Sequence, residues 1–91
     1  MISGPHVPLM PHFDTCLGML RRLITDGDSN AIPLAERAID GYLEATPATA
    51  RKSGLRLLQQ GVLNKHRAVV GAQRSFAETV NAYIEKKLET Q

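Results

Sequence analysis

The sequence predicts a mainly α domain with one small β-hairpin: three helices, the hairpin, and a C-terminal helix. Three observations carry that expectation. Apolar residues recur at intervals of three and four along most of the chain, the period of a helix that turns one face inward. Prolines and glycines divide this pattern at places where helices begin or end. After Gly61 the pattern changes, because Val62 and then Val69 and Val70 bring β-branched residues beside glycines, which favours extended chain. With 91 residues the chain holds one domain, since a second core could not be buried in so short a polypeptide.

Residues 1–10 form a proline-rich arm: prolines at 5 and 8, followed by Pro11, oppose a helix. An edge strand, an arm reaching into a groove and disorder all fit that composition. From Pro11 to about Asp26, Phe13, Leu17, Leu20, Leu23 and Ile24 make one apolar stripe, with Arg21 and Arg22 on the wet side. Gly18 weakens this first helix slightly and leaves room for another helix to approach. Asp26, Gly27, Asp28, Ser29 and Asn30 form a turn. A second helix starts near Ala31 or Pro33, and Leu34, Ala38, Ile39 or Tyr42, and Leu43 are its expected buried side. Thr46 is a good N-cap and Pro47 suits the first helical position, so a third helix is expected from 46 to 60. Gly61 can take the left-handed conformation that ends it. Ala50, Leu55, Leu57 and Leu58 are assigned inward, Arg51, Lys52 and Arg56 outward. Residues 62–76 then form the hairpin, with a turn near Val70 to Ala72; the alternative is that Gly61 is only a kink and 62–70 continue as helix. The last helix runs from about Ala77 to Leu88, with Phe76, Val80, Tyr83, Ile84 and Leu88 on one side.

The net charge of +2 says little, but its distribution says more. Between Ala45 and Ala77 there is no Asp or Glu, while Arg51, Lys52, Arg56, Lys65, Arg67 and Arg74 fall inside that window together with His66. A segment of one sign attracts a polyanion, because each cation near a phosphate releases a condensed counterion. A solvated face that happens to lack acids is the plainer alternative. Glu36, Asp40 and Glu44 form an acidic row best explained as a solvated helix face. The single cysteine, Cys16, has no disulfide partner and is expected to be buried on the first helix. His6 and His12 straddle prolines with no acid or cysteine cluster beside them, so no metal is expected. No apolar run approaches the ~20 residues of a membrane span, and the N-terminus lacks the layout of a secretory signal, so a cytoplasmic protein is expected.

From Ile39 to Leu63 the order of residues resembles the winged helix-turn-helix superfamily, in particular GntR-type regulators and the small C-terminal modules of Fic-domain proteins. In that pattern a leucine closes one helix, a short turn ends in Ser or Thr, and Pro-x-Thr-Ala-Arg-Arg/Lys opens the recognition helix. Gly-(Val/Leu/Ile)-Leu then leads into the wing. Leu43, Thr46, Pro47, Thr49, Ala50, Arg51, Lys52, Gly61, Val62 and Leu63 stand at matching places. The resemblance implies a sequence-specific DNA-binding protein, a small transcriptional regulator with a recognition helix 46–60 and a basic wing 62–76. Thr46, Ala48, Thr49, Arg51, Lys52 and Arg56 would face base edges and phosphates from the helix. Lys65, His66, Arg67 and Arg74 would do so from the wing. By the same analogy the partner is double-stranded DNA and the protein is a homodimer paired through segment 77–91.

Nothing points to catalysis: there is no Gly-rich phosphate loop, paired-cysteine metal spacing, nucleophile elbow or zinc-binding helix, and Ser29, Ser53 and Ser75 have no base in a recognised context. No enzyme and no cofactor are expected. The rival reading is a helical protein–protein interaction module, such as a secretion chaperone, an antitoxin-like partner or an accessory domain, that keeps the fold without binding DNA.

Overall fold

Helix α1 spans Leu9–Asp26 in the computed structural model, which describes residues 9–91. Most of the expected arm, with its His6, lies outside the described residues. Pro11 falls in the first turn of α1, where a missing amide hydrogen leaves no bond unmade. Cys16, Leu20, Leu23 and Ile24 turn to the core, with Phe13 and Leu17 packed against its edge. The helix stops where Gly27 takes a φ of 64° and its amide donates to the Leu23 carbonyl at 3.0 Å. The Asp28 carboxylate then accepts from the Asn30 amide at 3.0 Å and caps a short 3-10 turn, Ser29–Ala31.

Helix α2, Ile32–Glu44, starts with Pro33 in its first turn and buries Ala35, Ile39, Tyr42 and Leu43. The register differs from the expected one at Leu34, which is 49% exposed. Ile39 and Leu43 place Ala35 and Tyr42 on the inner side, and this turns Leu34 outward while Ala38 stays partly buried against the core.

Helix α3, Ala48–Ala68, overturns the expected wing. The chain does not fold back after Gly61; it stays helical to Ala68, and no strand occurs among the described residues. The small β-hairpin over 62–76, and with it a winged architecture, is absent. The physical reason lies in the core. Leu55, Leu58 and Val62 continue one helical stripe and are fully buried. Each contributes about 1.5–3 kcal/mol, against about 1 kcal/mol for an interior glycine. Gly61 is there for closeness rather than for a turn, because a Cβ at that position would lie 2.5 Å from Cδ1 of Leu17 on α1. Gly54 serves α2 in the same way: a Cβ there would collide with the ring and hydroxyl of Tyr42.

The reversal expected near residue 70 exists, but it joins two helices. Val69 and Val70 are extended, Gly71 has a φ of 60°, and helix α4 follows over Gly71–Thr90, starting six residues before Ala77. Phe76, Ala77, Val80 and Ile84 fill the core, and α4 packs against α1, α2 and α3. Polar ties lock these contacts. Gln73 Nε2 donates to the Thr25 carbonyl at 2.5 Å, and Gln59 Nε2 to Asn81 Oδ1 at 3.0 Å. The Tyr83 hydroxyl donates to Asp40 Oδ1 at 2.7 Å, and Lys87 Nζ lies 3.4 Å from that oxygen and 5.2 Å from the Tyr83 ring centre. Asp40 is therefore a clasp between α2 and α4 rather than one more solvated acid. No described helix is long and apolar enough to cross a membrane.

Candidate nucleic-acid interface

The candidate residues divide into three groups once α3 is a single helix. Thr49, Lys52, Arg56 and Arg67 lie on its outward face, exposed and in line at helical spacing. Ala48, at the helix start, is also exposed. Because α3 lies wholly inside the acid-free part of the chain, this face carries three cations and no carboxylate. Lys52 and Arg67 are separated by 15 residues, roughly 22 Å of helix. The row is a straight, positively charged edge.

The second group has turned inward. Thr46 is 2% exposed, and its hydroxyl donates to the Tyr42 carbonyl at 2.6 Å, so it closes α2 instead of capping α3. The residue before α3 is Pro47, and no side chain caps the helix. Arg51 Nε donates to the carbonyls of Leu43 at 2.8 Å and Thr46 at 2.9 Å. The Leu43 carbonyl belongs to the last turn of α2, at the negative end of its dipole, and the Thr46 carbonyl lies in the turn before α3, so the guanidinium bridges the two. Neither Thr46 nor Arg51 reaches a base from here.

The third group lies on the flanks. His66 Nε2 sits 3.0 Å from Glu78 Oε2 on α4. Lys65 is on the α1 side, lining a shallow hollow with Leu17, Arg21 and Asn64. Arg74 is exposed in the first turns of α4. The expected wing residues therefore scatter: only Arg67 joins the outward row.

Gln60, Leu63 and Asn64 belong to that row and were assigned to a helix end or a hairpin from the sequence. The signal that places them is the i, i+3, i+7 spacing of Leu55, Leu58 and Val62, continued through Gly61. Elsewhere the chemistry is quiet. Cys16 is buried, its thiol lies 3.4 Å from the Ala38 carbonyl, and burial pushes its pKa up to about 12, so it is no nucleophile near neutral pH.

Among the described residues the fold is four α-helices and one 3-10 turn around a single core. No family model, no curated protein and no solved structure matches the chain.

Proposed function

We propose that the protein binds double-stranded DNA through the outward face of α3, with Lys52, Arg56 and Arg67 on phosphates and Thr49 near the groove floor. The observation that supports this is the single-sign row along one uninterrupted helix. Phosphate contacts position a helix without reading sequence, and the inward turn of Thr46 and Arg51 removes two of the groups expected to read bases. The binding is therefore largely sequence-tolerant, and a regulatory role would draw its discrimination from Thr49, Lys52 and the polar Gln60 and Asn64.

Titration of a labelled duplex across a salt series tests this. Three phosphates at about 0.9 each give a slope of log K against log salt of about −3. Lys52→Ala and Arg56→Ala each reduce the slope by about 0.9 and weaken specific and random duplexes alike. Binding without salt dependence, or no binding at low salt, would remove the proposal.

One observation favours the rival reading of a helical interaction module. Leu57 is 53% exposed at the rim of an apolar notch lined by Phe13, Tyr42, Ala50 and Gly54. A partner held there would resist salt that strips DNA from cations.

A further inference from the structure

Helix α2 is amphipathic twice over. Its inner stripe, Ala35, Ile39, Tyr42 and Leu43, is spent on the core. A second stripe runs beside it: Leu34, Ala38, which is partly buried against the core, Gly41 and, at the C-cap, Ala45. The intervals are four, three and four, the spacing with which one helix meets another in a coiled coil. Leu34 is 49% exposed, Ala45 and Gly41 are exposed, and a Cβ added to Gly41 would meet nothing within 4 Å. Beside Ala38 and Gly41 an open hollow reaches to Met19 of α1, itself 46% exposed.

Two charges flank this stripe on the same side, Arg37 and Glu44, seven residues apart and both exposed. Neither has an ion-pair partner among the described residues. Within one chain they are roughly 10 Å apart along the helix, too far to pair. Across a two-fold axis they match. If a second α2 lies antiparallel, Leu34 meets Ala45 of the other copy and Ala38 meets Gly41, and the same register sets Arg37 opposite Glu44 twice. We propose that the outward face of α2 is the surface through which two copies of this chain pair antiparallel, with Leu34 seated over the small residues and the two Arg37–Glu44 bridges fixing direction. The charge pattern selects a second copy as occupant, because one face carries both halves of the pairing, as an isologous contact requires. The apolar stripe of α4 is spent within one chain, since Phe76, Val80 and Ile84 face its own core.

The test is sedimentation equilibrium of the full chain over a wide concentration range, with circular dichroism as a check on folding. The expected result is a concentration-dependent rise from 10.0 kDa toward twice that mass. Arg37→Glu and Glu44→Arg each set like charges together twice across the axis and weaken the dimer about tenfold or more. The double variant carrying both reversals restores it, and intrachain pairing cannot explain that rescue at their separation. A monomer at every concentration overturns the proposal. So does a dimer that neither single reversal weakens, or one that the double variant fails to restore. Lys52→Ala and Arg56→Ala leave the dimer unchanged, so loss of DNA binding and loss of pairing are read separately.

Discussion

Arg51 shows how one side chain can serve either a partner or its own fold. A guanidinium in the first turn of α3 has the reach to meet a guanine edge, yet the carbonyls of Leu43 and Thr46 lie 2.8 and 2.9 Å from its Nε. Hydrogen bonds to a charged group are worth about 1.5–3 kcal/mol, more than an exposed phosphate contact returns in salt-screened solvent. Arg51→Ala accordingly lowers unfolding stability by about 1–3 kcal/mol, read from the urea midpoint, and leaves the salt slope of DNA binding unchanged. The glycines make a second residue-scale contrast. At Gly18 nothing lies within 4 Å of an added Cβ, so Gly18→Ala stabilises by about 0.5–1 kcal/mol through helix propensity alone. At Gly54 the added methyl meets the ring of Tyr42, which is 8% exposed and held in the core. Overpacking of about 1–3 kcal/mol then exceeds the propensity gain, so Gly54→Ala lowers the melting temperature while Gly18→Ala raises it.

Between elements, the contacts of α1 and α4 with α2 share one dependence on pH. Burial raises the Cys16 thiol to about 12. The Tyr83 hydroxyl is raised first by burial and then by its bond to Asp40, and Lys87 is raised by its contact with Tyr83 and by the Asp40 charge. In all three cases the folded state holds the proton more tightly than the unfolded chain. Their contribution is complete below the ordinary thiol, phenol and ammonium values and is lost as pH rises through the folded ones. Denaturant stability is therefore flat on these groups near neutrality and declines from about pH 8.5 upward, where the free thiol begins to ionise. Cys16→Ala and Tyr83→Phe each flatten that alkaline limb, and the slope against pH, rather than the absolute stability, is the quantity to measure. The same scale explains α3: its course past Gly61 is decided by α1, which packs on it at Leu17.

In the whole molecule the four helices share one core, to which every helix contributes residues with almost no exposed surface, from Leu20 and Ile24 through Ile39 and Leu58 to Val80 and Ile84. No pair of helices holds a separate apolar centre that would survive the loss of the others. Unfolding is therefore expected as one transition, with far-ultraviolet circular dichroism and near-ultraviolet tyrosine signals superimposing through the urea range. Separated curves, with helical signal lost later, would mean that the α3–α4 hairpin stands alone. On the outside the charges divide: the α3 face is cationic, while α2 displays Arg37 and Glu44 together. The surfaces proposed for DNA binding and for pairing of two copies thus lie on different faces.

Much of this was legible in the residues themselves. The stripe of α1, the turn at Asp26–Asn30, the start of α2 at Pro33, the inward positions Leu55 and Leu58 and the stripe of α4 follow from apolar spacing and from proline and glycine, which act within a few residues of themselves; Leu57, assigned inward with them, is instead 53% exposed. The acid-free basic stretch was equally plain, and all its cations but Arg74 lie on α3. What tertiary structure decided was the meaning of residues whose local code has two solutions. Gly61 suits a left-handed helix end as well as a close helix crossing, and Leu17, distant in sequence, selects the crossing. Leu34 fits either side of an amphipathic helix until Ile39 and Leu43 fix the register. Thr46 and Arg51 can cap, read a base or close the preceding helix, and the carbonyls of Tyr42, Leu43 and Thr46, which the turn between α2 and α3 brings beside them, take both.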